Sequence, residues 1–265
     1  MSIFEELLED VAQTNGLREV NTYVKLVVGL GALILCLLSQ SYIAPLFIAV
    51  LMTGAILFLA RIDAKMYGEL FLVPFSFAIM SVAVIILISG GGQVYWSWTP
   101  FSWLSLSITP ESLNKGIFIF CRMIGGVSAL LFIALTTPMT DLFVVMQRSR
   151  IPAVVIDFAM IMYRTIFQIL SHLTQIYDAQ VMRLGYGSFG REWIQSFATM
   201  CGSGFIASWE SGEQLINAMD ARCYDGKFAT LGNTQSIGIS SMVVVGLFFV
   251  ISSAVVVLTL NMTLF

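Results

Sequence analysis

The sequence predicts an all-α integral membrane protein: about five transmembrane helices plus two long amphipathic helices on the cytoplasmic side. Three observations predict it. Of 265 residues, 58% are hydrophobic and only 11% are charged, against roughly a quarter charged in a typical soluble domain. Residues 26–60, 70–110 and 228–265 carry no charge at all, and each stretch exceeds the about 20 apolar residues that a helix needs to cross a bilayer core. Between the second and third of these lies a mixed region in which polar residues recur every three or four positions, the period of a helix with one wet face.

The elements follow in order. The N-terminal MSIFEELLED is acidic and lacks the basic start of a cleavable signal, so the first apolar segment is expected to remain as a span. Ser39-Gln40-Ser41 and Pro45 break the first uncharged stretch into spans near 24–38 and 43–60. A third span near 70–89 ends at Gly90-Gly91-Gly92. Tyr95, Trp96, Trp98 and Trp103 follow, the amphipathic aromatic composition favoured at a membrane–water interface. Thr109-Pro110-Glu111 reads as a helix start, with a cap, a proline for the first turn and an acid at the positive end of the dipole. The fourth span is placed near 116–135 and the last near 236–259. Residues 1–139 thus form an N-terminal membrane region, 140–235 a cytoplasmic region and 236–265 a C-terminal span.

Charge placement orients these spans. With five of them and a cytoplasmic N-terminus, the basic residues at 18, 25, 61, 65, 148, 150, 164, 183, 191, 222 and 227 all fall inside, as the positive-inside rule requires. Lys115 lies outside, and Arg122 lies within a span. In the cytoplasmic region, Asp157, Arg164, Gln168, Ser171, Gln175 and Asp178 trace one stripe. Ser196, Thr199, Ser203, Glu210, Glu213, Asn217 and Asp220 trace another. Two long helices with wide apolar faces satisfy that pattern by packing on one another. The competing reading makes 152–177 a sixth span with Arg164 buried; a regular polar stripe suits a surface helix better.

Both helices end alike. Ala179-Gln180-Val181-Met182-Arg183-Leu184-Gly185-Tyr186-Gly187 parallels Ala218-Met219-Asp220-Ala221-Arg222-Cys223-Tyr224-Asp225-Gly226. A cation complements the negative end of a helix dipole, and glycine stops a helix. Capping accounts for one such site; two matched sites closing two matched helices favour a shared docking role.

Four pieces of the chain together resemble a known family. They are Thr14-Asn15 with Lys25, the Thr136-Thr137-Pro138-Met139-Thr140-Asp141-Leu142 segment, and the two arginine-bearing helix ends. The chain resembles the transmembrane T subunits of energy-coupling factor (ECF) transporters, and among them the CbiQ components of cobalt uptake systems. Ala221-Arg222-Cys223 fits the family's Ala-Arg-Gly type motif. Met182-Arg183-Leu184 departs from it on both sides of the arginine, which puts the local packing there in doubt but not Arg183 itself. The resemblance implies that the two helices cross and insert into grooves on two cytoplasmic ATPase subunits. Arg183 and Arg222, flanked by Met182, Ala221 and Cys223, would be the coupling contacts, and a separate substrate-binding membrane S subunit of cobalt type would be reoriented. It implies a non-catalytic, multi-pass subunit of the cell membrane. Cobalt as cargo rests on the likeness to CbiQ, with nickel or a vitamin as alternatives.

Other chemistries find little support. A net charge of −3 with no basic run offers nothing to a nucleic acid. No P-loop is present, so ATP would be hydrolysed elsewhere. Gly185-Tyr186-Gly187-Ser188-Phe189-Gly190 matches GxGxxG, but no strand pattern precedes it; a turn between helices is the expectation. His172 is the single histidine, and Cys36, Cys121, Cys201 and Cys223 are scattered, so neither a metal site nor a cofactor is expected. Arg122 is a candidate functional charge within the membrane, although it could also snorkel outward. The alternative function is a secondary transporter carrying its own substrate, which would need several ionisable groups at mid-membrane depth. A membrane-embedded enzyme ranks third, for want of a catalytic constellation.

Overall fold

The computed structural model describes residues 11–88, 96–101, 104–149, 151–186, 190–224 and 238–259. The acidic N-terminal stretch, Gly90-Gly91-Gly92, Tyr95, Trp103 and residues 187–189 of the GxGxxG match lie outside them. The elements are α1 (Thr22–Leu38), α2 (Ile43–Gly54, continued by a π-helical turn Ala55–Leu59), α3 (Ala64–Ile88), β1 (Trp96–Phe101), β2 (Leu104–Ile108), α4 (Pro110–Thr136), α5 (Met139–Arg148), α6 (Ala153–Met182), α7 (Arg191–Ala221) and α8 (Ile239–Leu258). This is an all-α membrane protein, to which β1 and β2 add a two-stranded antiparallel hairpin pairing Trp96 with Ile108. Among the described residues, Ala64–Leu87, Pro110–Thr136, Ala153–Met182 and Ser241–Leu258 are long and apolar enough to cross a membrane, while α1 and α2 are shorter apolar helices.

The chain divides into two compact units, one built on Leu8–Pro138 and Thr234–Phe265, the other on Met139–Asn233. In the first, α4 is central and packs against α1, α2 and α3. It starts at Pro110 on a capping box, in which Thr109 accepts from the Ser112 N–H and the Ser112 hydroxyl accepts from the Thr109 N–H. Lipid supplies no hydrophobic drive between helices, so close backbone approach and tight packing hold them together. Gly125 provides such an approach: a Cβ there would sit 2.7 Å from the Pro45 carbonyl oxygen and 2.8 Å from Cys36 Sγ. Ala32, Cys36, Ile48, Met52, Ile56, Ala129, Phe132 and Leu135 fill the core around it. The outward residues are large and apolar, with Val73 72%, Phe77 68% and Met80 69% exposed. That inside-out distribution suits a hydrocarbon solvent.

In the second unit, α6 and α7 form a pair that packs closely where Gly204 meets Leu173; a Cβ on Gly204 would lie 2.5 Å from Leu173 Cδ2. The short α5 rests on α6 through the edge-to-face contact of Phe143 with Tyr163. Arg164, Gln168, Ser171, Gln175 and Asp178 form the exposed polar stripe of α6, whereas Asp157, the first member of the expected stripe, is buried. On α7, Thr199, Glu210, Glu213, Asn217 and Asp220 are exposed.

Candidate functional site: two matched helix ends

The ends of α6 and α7 are the same structure built twice. In the first, the Gly185 N–H donates to the Gln180 carbonyl at 2.9 Å and the Leu184 N–H to the Val181 carbonyl at 3.0 Å. In the second, the Tyr224 N–H donates to the Met219 carbonyl at 3.1 Å and the Cys223 N–H to the Asp220 carbonyl at 3.0 Å. This six-to-one plus five-to-two pair is the Schellman arrangement that satisfies the last orphan carbonyls of a helix. Each arginine is the C-cap, with φ −90°, ψ 11° at Arg183 and φ −96°, ψ 10° at Arg222. The next residue is left-handed, with φ 57° at Leu184 and 54° at Cys223. Glycine is the usual occupant of that position because it has no Cβ to clash. The Ala-Arg-Gly type motif therefore has a backbone meaning: last helical residue, C-cap and left-handed stop. This chain keeps the conformation at both ends with a side chain at the stop.

The side chains at these ends face outward. Met182 and Leu184 are 87% and 83% exposed, and Arg183, Ala221, Arg222 and Cys223 are exposed as well. Among the described residues, no hydrogen bond or ion pair engages either guanidinium. The first tip is braced from below. The Tyr186 hydroxyl donates to Gln180 Oε1 at 2.7 Å, the Ser196 hydroxyl donates to the Gly185 carbonyl at 2.8 Å, and the Tyr177, Tyr186 and Trp193 rings pack in series. Ser196 and Trp193 belong to the first turns of α7, so Arg183 is held at the start of that helix and Arg222 stands at its end. With 31 residues in α7, the two arginines are separated by about 46 Å of helix at 1.5 Å per residue. One groove cannot accept both.

The remaining singled-out residues meet in the membrane unit. Lys25, only 3% exposed, donates from Nζ to the Thr136 carbonyl at 2.9 Å. Asn15 Nδ2 donates to the Leu135 carbonyl at 3.2 Å and to the Ala12 carbonyl at 2.7 Å. Asn15 and Lys25, from two separate pieces of the sequence, thus converge with the Thr136 segment at the C-terminus of α4. Arg122 makes the reciprocal contact. Its Nη2 donates to the Ser39 carbonyl at the C-terminus of α1, and its guanidinium lies 4.4 Å from the Phe118 ring centroid. Fourteen residues separate Lys25 from Ser39, and fourteen separate Arg122 from Thr136. The two antiparallel helices therefore cap one another, a cation from each meeting the negative dipole end of the other. Arg122 Nε is buried without a partner.

No group of three or more His, Cys, Asp or Glu side chains that could hold a metal ion occurs among the described residues. Cys36 and Cys121 are buried inside α1 and α4, as filler would be, and Cys201 and Cys223 are exposed. An α-helix, not a strand, precedes Gly185. Sequence reasoning missed Leu184 as the apolar partner of Met182, and it gave Lys25 and Asn15 no physical role. The signal for Lys25 was available: a cation at the foot of a span is a natural partner for a neighbouring helix C-terminus.

Apolar helices with large exposed apolar side chains in one unit and a polar-striped helix pair in the other define the class as a multi-pass helical membrane protein. The family described as the cobalt transport protein CbiQ matches residues 13–235, and the chain belongs to that family. It is 39% identical over 229 residues to a fused cobalt transport protein, CbiMQ, of Methanocorpusculum labreanum, covering 86% of this chain and 38% of that protein. The chain thus spans well under half the length of that relative. It is 27% identical to the cobalt transport protein CbiQ of Rhodobacter capsulatus, covering 87% of this chain and 88% of that one. It is 25% identical to the energy-coupling factor transporter transmembrane protein EcfT of Limosilactobacillus fermentum, covering 77% and 80%.

Proposed function

We infer that this chain is the coupling subunit of an ECF-type ATP-driven uptake transporter for cobalt. It joins two cytoplasmic ATPases to a separate substrate-binding membrane subunit. The observation that carries this reading is the duplicated helix end. Two arginines with no partner among the described residues close two helices in matched backbone settings, separated by the length of α7, about 46 Å. A guanidinium is a planar fork of donors that stays charged in a protein groove, and Met182 with Leu184, or Ala221 with Cys223, would seat beside it. Each ATPase takes one end, and movement of the ATPases moves α6 and α7.

The fused relative supports the partnership, because its name joins a second part, CbiM, to the part this chain resembles. Cobalt as cargo, a substrate of the assembled system, is supported by the cobalt transport names of two of the relatives. In this reading the five spans are α1 to α4 and α8, although α1 and α2 are shorter apolar helices, and the N-terminus and residues 140–235 are cytoplasmic, as the placement of the basic residues supports. Although α6 is long and apolar enough to span, its exposed Arg164, Gln168, Gln175 and Asp178 would then meet lipid, where a charged side chain costs about 2.5–3.5 kcal/mol or more. A carrier with its own substrate would need free ionisable groups within the membrane, and Arg122 is engaged on a helix end.

Purification from solubilised membranes of the native source tests the reading. Two ATPase subunits and a second membrane protein should elute with the chain in fixed ratio. Cobalt uptake by the chain alone, in vesicles without ATP, would overturn it.

A further inference from the structure

We propose that the Thr136–Thr137 junction is the joint through which movement of the arginine-bearing helices reaches the membrane unit, and that Lys25 and Asn15 are the positioning residues fixing its membrane side. The inference rests on the coupling reading above and adds to it the place where motion is converted.

The observations concern four consecutive residues. At the end of α4 the Ile133, Leu135 and Thr136 carbonyls and the Thr136 hydroxyl are tied. Lys25 holds the Thr136 carbonyl and Asn15 the Leu135 carbonyl. The Thr136 hydroxyl donates to the Phe132 carbonyl at 2.6 Å, and the Thr137 N–H donates to the Ile133 carbonyl at 3.0 Å. A lysine this deeply buried is tolerated only where its ammonium is paired, so the clasp is specific to this helix end. One residue later the pattern reverses. Thr137 is extended, at φ −122° and ψ 106°, and only 5% exposed, and its hydroxyl is buried with no hydrogen-bond partner. Pro138 then removes a backbone donor and cannot continue the helix, and the chain passes to the other unit at Met139.

A buried hydroxyl without a partner raises the free energy of the arrangement that holds it. Placed directly after these tied groups, it marks a link that gains a hydrogen bond by rearranging, while the helix behind it stays fixed. That is the requirement for a joint: one side immobile, the other biased to move. Lys25 and Asn15 come from a different segment of the membrane unit, so force arriving at Thr137 is passed to α1 as well as α4.

The test compares uptake per ATP hydrolysed in the complete reconstituted transporter. Lys25→Met should leave ATPase association intact and lower cobalt uptake per ATP at least tenfold, with Lys25→Arg recovering much of it. Thr137→Val removes the unpartnered hydroxyl at equal volume and breaks no bond of the resting arrangement. It should hold or raise thermal stability and still lower uptake per ATP several-fold. If Lys25→Met fails to insert, Thr137→Val decides alone. Wild-type uptake per ATP in Thr137→Val, or a loss that tracks reduced stability, overturns the joint. Failure of the coupling reading looks different, because no ATPase would accompany even the wild-type chain.

Discussion

Replacing Leu184 by glycine should move the stability of the chain and its affinity for an ATPase in opposite directions. Leu184 occupies the left-handed stop of α6 at φ 57°, where a Cβ costs about 1 kcal/mol relative to glycine. Relief of that cost strengthens the helix end by a similar amount. The same side chain is 83% exposed, and full burial of a leucine is worth roughly 1.5–3 kcal/mol. If the tip seats in an ATPase groove, Leu184→Gly forfeits about 2 kcal/mol of that burial, close to a 30-fold loss of affinity. Cys223→Gly is the matched comparison, since it relieves the same strain at φ 54° and removes a much smaller side chain. Thermal unfolding of the purified chain reads the first effect, and titration with the ATPase reads the second. Leu184→Gly binding as tightly as wild type would refute the claim that this tip is a docking surface rather than a helix stop.

Three further outcomes follow from the same geometry. Gly204→Leu should destabilise the α6–α7 pair by about 1–3 kcal/mol, the usual cost of overpacking, and expose it to proteolysis; unchanged resistance would mean that the contact with Leu173 is not tight. In sealed right-side-out vesicles, Glu111→Cys should react with an impermeant thiol reagent while native Cys201 does not; labelling of Cys201 from outside would defeat the cytoplasmic placement of α7. Calorimetry on the purified chain should give no stoichiometric binding of Co²⁺, because no three acid, thiol or imidazole side chains gather into a metal-holding group among the described residues; a tight site would revive the carrier.

The parts legible in the sequence were those governed by local rules. Uncharged length announced the apolar helices, and Thr109-Pro110-Glu111 marked the start of α4 because capping chemistry is confined to one turn. The polar stripe of α6 was readable from Arg164 onward for the same reason, since helical period needs no partner. Asp157 broke the pattern because tertiary burial, not periodicity, decided its environment. The π-helical turn at Ala55–Leu59 leaves no mark in composition, because any apolar residue accepts that backbone. The left-handed stops were half legible: the position is usually glycine, and Leu184 and Cys223 concealed it. A cation at the foot of a span hinted at a role for Lys25, but the reciprocal clasp of Lys25 and Arg122, with its particular partners, was not legible. It depends on α1 and α4 running antiparallel in one register, and contacts across 83 or 111 residues have no local trace.

The most direct measurement is ATPase binding by the Arg183→Ala, Arg222→Ala double variant. Both guanidinium groups are exposed, so if they act only on their helix dipoles each replacement costs about 0.3–1 kcal/mol, and assembly survives. If each is desolvated in a partner's groove, its loss leaves the partner's groups unpaired at roughly 2–5 kcal/mol, and assembly fails. The double variant should insert in the membrane, unfold near the wild-type temperature, and lose both ATPase co-purification and cobalt uptake. Arg→Lys at either site should recover only part, because lysine keeps the charge but not the planar fork. A double variant that binds the ATPases and takes up cobalt like the wild type would contradict the account and leave helix capping as the whole role of both arginines.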